Sequence, residues 1–271
     1  MISRPERLLN YLILSLFAVF ALYPLLSILT GAFAPAGTSP GLLPTDISFD
    51  NFAEAWELGR FGQYLRTSAV VSGSVVALAT LMSVMAGYAF GTMRFRGSGV
   101  LFYLLLLGIM VPTEALVVPL FFDLRELGLT NTYWALILPQ TAQSVAFGTF
   151  WMRAYFMTSS RALVEAARVD GAGHWRTLWS VLLPVGRPAM VTMIVLVFMW
   201  TWNEFLIPLV MVTDESLRTA PLGLAFFQGQ YTADVRLLAA GATIVALPVV
   251  IVYLFLQRHF IRGMLEGSTR G

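Results

Sequence analysis

Six stretches of this chain, about 8–33, 68–93, 100–121, 133–155, 189–212 and 237–257, are long and apolar enough to cross a bilayer as helices. Hydrocarbon offers no hydrogen-bond partners, so a spanning segment must satisfy its own backbone, which a helix of about 20 apolar residues does. The remainder cannot clothe a soluble body. Of 271 residues, 58% are hydrophobic and only 12% charged, too little polar surface for a water-soluble domain of this length. The expected fold is therefore all-α and integral to the membrane, with six transmembrane helices in one domain over residues 1–271. The first run continues for about 26 residues, beyond the ~7–15 of a cleaved secretory core, so it is expected to stay as an anchor.

Arginine sets the orientation. All seventeen basic residues are Arg, and an inside N terminus puts most of them, including Arg94, Arg153, Arg168 and Arg258, on the cytoplasmic side. Six spans then leave both termini cytoplasmic. The arginines are scattered over short loops and form no basic block, which argues against a nucleic-acid partner.

Between the fourth and fifth spans lies a polar island, about 158–188. Ser159 and Ser160 can cap a short helix carrying Glu165, Ala166 and Ala167, and Asp170, Gly171 and Ala172 follow as an exit turn. Trp175 and Trp179 then share one face of a second helix, which Leu183-Pro184 and Pro188 bring to an end. The pattern is helix, turn, helix. The small Ala166-Ala167 surface would let another backbone approach closely.

This order of residues resembles the Glu-Ala-Ala coupling loop of the membrane subunits of ABC importers, although Leu178 stands where that family often has Phe. Met110-Val111-Pro112, Leu127-Gly128-Leu129, Asn131-Thr132-Tyr133-Trp134 and Trp202-Asn203-Glu204-Phe205 extend the resemblance to the sugar-importing branch, similar to the smaller membrane subunit of maltose-type systems. The resemblance implies a bacterial or archaeal inner-membrane protein. It also implies a second homologous permease, two ATPase subunits that hold ATP and Mg, and an extracytoplasmic solute-binding protein, with a sugar or oligosaccharide as cargo; the alternatives are another solute such as a phosphorylated polyol, or a stand-alone channel or secondary carrier. In that frame Glu165, Ala166, Ala167, Asp170, Gly171, Ala172, Leu183 and Pro184 would couple to the ATPase. Gln228, Gly229 and Gln230 would contact the binding protein or its sugar; read from residues alone, a Gly flanked by polar residues in a loop is most often just a turn.

What the chain lacks narrows its chemistry. Without Lys there can be no phosphate-cradling Gly-rich loop ending in Lys-Ser or Lys-Thr, so ATP hydrolysis is assigned elsewhere. There is no Cys, and His174 and His259 stand far apart, which leaves no catalytic constellation, no metal site and no cofactor expected on this subunit. Ionisable or amide groups at membrane depth remain to be placed. Counting down from the outer helix ends, Glu114, Gln140 and Glu204 fall at about 10 Å, with Asn203 alongside. They read either as a polar layer on a solute path or as braces between helices. Gly87 and Gly91, four apart, read as helix packing.

Overall fold

The computed structural model describes residues 4–35, 46–158, 161–230 and 234–268, and among them the chain is helical with no strand. It divides into two compact units, Met1–Gln63 with Leu222–Pro248, and Tyr64–Pro221 with Val249–Gly271.

In the first unit, α1 (Arg4–Ala32) is one long apolar helix whose sides are exposed along nearly their whole length. Such a surface needs lipid or protein around it. A short helix, α2 (Asp50–Leu58), follows in this unit. Asn51 is buried and its amide donates to the carbonyls of Ala32 (2.9 Å) and Ala34 (2.8 Å), so one side chain closes the open end of α1. The rings of Phe33, Phe49 and Phe52 cluster beside it.

The second unit holds most of α3 (Phe61–Thr92), then α4 (Ser98–Met110), α5 (Thr113–Glu126), α6 (Tyr133–Thr158), α7 (Arg161–Val169), α8 (His174–Val185), α9 (Arg187–Trp202) and α10 (Leu206–Met211). Helices α11 (Ala220–Gln230) and α12 (Val235–Ser268) complete the chain. Small residues set the spacing of α3 and α6. A Cβ added at Gly87 would come within 2.6 Å of Met152 Cβ, and one at Gly91 within 2.9 Å of Phe156 Cβ, so the packing role expected of both glycines is met by direct backbone approach. Gly148 sits in the same way against Ser83 and Met193. Val84, Tyr88, Leu136, Met152, Leu182 and Met193 form the middle of a core that runs on into α5 and α10.

Three helices, α1, α3 and the 235–257 part of α12, are long and apolar enough to span a membrane, and two bent pairs raise the number to five. Helix α6 is long enough, at about 39 Å, but its run of Gln140, Thr141, Gln143 and Ser144 makes it less apolar.

Two of the expected spans are not single helices. The segment expected at 100–121 is split into α4 and α5, which meet at 100°. Pro112 has no N–H and pushes Val111 into extended backbone (ψ 121°), so the ladder stops there. The segment expected at 189–212 begins at an 81° bend between α8 and α9 and breaks again at Asn203-Glu204-Phe205. Here the Asn203 amide donates to the Met199 carbonyl (2.8 Å), and Glu204 Oε1 accepts the N–H of Ile207 (3.0 Å), capping α10.

The connection from α5 to α6 shows how loop chemistry fixes such breaks. Gly128 takes a left-handed conformation (φ 68°), which allows Leu129 N–H to reach the Leu124 carbonyl (2.8 Å) and Gly128 N–H the Arg125 carbonyl (3.0 Å). Asn131, also left-handed, then clamps the loop after α10. Its Oδ1 accepts the N–H groups of Thr213 (2.8 Å) and Asp214 (2.9 Å), while its Nδ2 donates to Thr213 Oγ1 (2.8 Å).

Candidate functional site

The interruptions converge. Val111 and Thr113 from the α4–α5 break, Gln140, Gln143 and Ser144 from α6 and Thr201 and Glu204 from the α9–α10 break line one cavity of about 230 Å³. Irregular backbone within a bilayer is tolerated where it is buried in protein or faces a water-filled space, and both breaks open on this cavity of mixed polar and apolar lining. Pro139 opens the ladder of α6 just before this level, and Gln140 Nε2 donates to the Leu136 carbonyl there (2.9 Å). Gln143 Nε2 donates across to Thr113 Oγ1 (3.0 Å), tying α6 to the start of α5. Phe147 and Trp200 form the apolar wall, with ring centroids 4.6 Å apart and planes at 72°.

Of the four residues expected at this depth, Gln140 and Glu204 line the cavity, whereas Glu114 and Asn203 do not. Glu114 is exposed on the first turn of α5; the 100° bend turns that helix away from the straight path along which depth was counted. The Asn203 amide serves its own helix end. Nor is Glu204 a brace to another helix through the bond it makes, since its partner lies three residues on. Gln143, Ser144, Thr113 and Thr201 were not singled out from sequence. The first two follow Gln140 at three and four residues, the spacing of one helical face, so the signal was present.

The polar island forms the second candidate site. Helix α7 ends at Gly171 (φ 72°), where Ala172 N–H meets the Ala167 carbonyl (2.9 Å) and Gly171 N–H the Arg168 carbonyl (3.0 Å). That pair of bonds needs a left-handed residue, which explains a glycine at this offset from the alanines. Helix α8 follows, wound as a π-turn over Thr177–Leu182 before Pro184. A proline ring crowds the carbonyl four residues back, and a widened turn relieves it. Leu178 and Leu182 bury into the core. Ser159 and Ser160, expected to cap α7, lie outside the described residues.

The alanine surface expected to meet a partner is divided. Ala167 is only 6% exposed because α7 lays that face on α8, while Glu165, Ala166, Asp170 and Gly171 are exposed. Val169, 87% exposed, and Trp175, 64% exposed, stand beside them. Leu183 is half-buried and Pro184 exposed. Tyr88 on α3 joins this segment to the span region: its hydroxyl and His174 Nδ1 are 3.1 Å apart, and its ring packs edge-on against Phe156. Glu165, Arg168, His174 and Arg94 surround an open hollow of about 820 Å³ next to it.

Gln228 and Gly229 lie exposed in the last turn of α11; the turn expected at Gly229 is helix instead, because the apolar run 220–227 continues into it. Among the described residues no three His, Asp or Glu side chains gather as metal ligands.

Comparison with known proteins covers both candidate sites. The family described as "Binding-protein-dependent transport system inner membrane component" matches residues 79–266. The probable ABC transporter permease protein YurM of Bacillus subtilis is 35% identical over 96% of this chain and 88% of its own length. The diacetylchitobiose uptake system permease protein NgcG of Streptomyces coelicolor is 32% identical over 97% and 88%. A solved bacterial ABC transporter involved in import of the acidic polysaccharide alginate superposes with a TM-score of 0.83 at 25% identity, covering 96% of this chain and 99% of that one.

Proposed function

The chain belongs to the family of inner membrane components of binding-protein-dependent transport systems, and from that membership we propose that it is the permease subunit of an ATP-driven sugar or oligosaccharide importer. The observation that carries the reading is that one family match, 79–266, spans a cavity lined by two helix breaks and the polar face of α6 and, beyond it, an exposed helical pair. Relatives whose names state a cargo take glycans: diacetylchitobiose in one, alginate in another. Relatives in this family are transport permeases and not enzymes.

In this account the chain makes six spans, holds both termini in the cytoplasm and pairs with a second permease. Of the two ATPase subunits, which carry ATP and Mg, one docks on α7–α8. Ala166, Val169 and Trp175 supply the apolar contact there, Glu165 and Asp170 the polar anchors, and Gly171, Ala172, Leu183 and Pro184 the shape. Closure of the ATPases pushes α7–α8 as a rigid body, and the helices open toward a solute-binding protein that meets Gln228, Gly229 and Gln230. Solute then passes Gln140 and Glu204. Mild-detergent purification tests the assembly: an ATPase and a second permease should co-elute, and the reconstituted complex should hydrolyse ATP faster with a cognate sugar and its binding protein. A chain that purifies alone and transports alone would refute it.

A further inference from the structure

The central cavity has a one-sided chemistry. No Arg, Lys or His is among its lining residues, and its single charged group is the Glu204 carboxylate. Both amides already donate within the protein, Gln140 to Leu136 and Gln143 to Thr113. The first bond fixes the orientation of the Gln140 amide, since a carbonyl can be met only by an N–H. Its Oε1, in a residue 4% exposed, has no partner among the described residues. Glu204 has one oxygen occupied by the Ile207 N–H, which pins the carboxylate at the cavity and leaves its charge without a counter-ion among the lining residues. The next cation along α6 is Arg153, nine residues beyond Ser144 or about 13 Å of helix. Its guanidinium is already set on the Phe102 ring, 4.0 Å from the centroid. Trp200, 51% exposed, offers a flat apolar face of the kind that receives the C–H side of a sugar ring.

On the reading that this chain forms part of a sugar pathway, we propose that the cavity is a subsite that admits neutral or amine-bearing sugar units and rejects carboxylated or phosphorylated ones, with Glu204 as the discriminating group. Sugar hydroxyls and ammonium groups bring donors that the Glu204 carboxylate accepts. A uronate or sugar phosphate keeps its hydroxyl donors but adds a negative charge that Glu204 repels. The solved relative imports an acidic polysaccharide, so shared fold and shared cargo charge separate here.

The test uses the complete detergent-solubilised complex without its binding protein, so that selection by the binding protein does not intervene. Saturation-transfer NMR would compare glucose, glucosamine and glucuronate as probes at neutral pH. The expected order is glucosamine and glucose ahead of glucuronate by about tenfold or more, with Glu204→Gln narrowing the glucosamine-to-glucuronate ratio to within about twofold. Gln143→Lys, which adds a cation at the rim, should raise glucuronate binding and serves if Glu204→Gln does not assemble. Glucuronate binding as well as glucose in the wild type, a ratio unmoved in both variants, or no binding by any probe would overturn the proposal. Co-elution with ATPases and sugar-stimulated hydrolysis report on the importer reading separately, so that reading can stand while the charge selection falls.

Discussion

The cavity and the α7–α8 segment invert one another. At the cavity, polar side chains are turned inward, with Glu204 accepting the Ile207 N–H at the start of α10 and Gln140 donating to the Leu136 carbonyl within α6. On α7–α8, Val169 and Trp175 point outward among Glu165, Arg168, Asp170, His174 and Arg176. That density of charge excludes hydrocarbon as their neighbour, whereas the exposed Leu and Phe of α1 beyond its first two turns stand on a stretch without a charged residue. The contrast separates two uses of exposed apolar surface in one membrane protein. Surface without charge suits lipid or another span; surface ringed by charge suits a soluble partner.

The comparison breaks most severely at Ala167. Its face is covered within the chain, so Ala167→Glu buries a carboxylate against α8 and should cost roughly 3 kcal/mol or more, read as loss of folded protein on a size-exclusion column. Ala166→Glu, one residue away and exposed, should fold normally and instead weaken ATPase association by about tenfold or more. Equal folding losses in both would erase the distinction between the two faces.

A smaller effect is expected at the clamp that holds the loop between α10 and the chain beyond it. Asn131→Ala removes three hydrogen bonds from a left-handed position and should cost about 1–3 kcal/mol, visible as a lower melting temperature of the complex with coupling unchanged per folded molecule. The smallest structural effect belongs to the link between the two regions. Tyr88→Phe keeps the packing on Phe156 and deletes the contact with His174, for a stability loss of about 0.5–1.5 kcal/mol. If α3 takes its motion from α8 through this contact, solute moved per ATP should fall severalfold in that variant, measured by parallel uptake and phosphate release.

Much of this was legible in the chain. Apolar length announces α1, α3 and α12, and the offset from Ala167 to Gly171 announces the turn that ends α7, because both follow from backbone requirements local to the segment. What linear reading missed was three-dimensional in cause. Depth counting placed Glu114 level with Glu204, but the 100° bend at Pro112, between α4 and α5, turns the helix that carries Glu114 off the straight path. The run from Ala189 to Val212 reads as one span because only Asn203 and Glu204 interrupt it, and their capping role is visible only once Ile207 N–H is seen to need an acceptor. Ala167 could have been assigned inward, since Val164 three residues before it lies on the same helical face and packs on the core. Gly229 reads as a turn by residue type, yet the helix before it simply carries on.

The most direct test of the account measures sugar-dependent ATP hydrolysis and uptake together in proteoliposomes holding the complete complex with its binding protein, comparing wild type with Val169→Asp. The account predicts that the wild type hydrolyses ATP in proportion to sugar taken up, and that Val169→Asp, with its membrane core intact, loses ATPase subunits and both activities. Sugar uptake by this chain without ATPases, or full coupling in Val169→Asp, would contradict it.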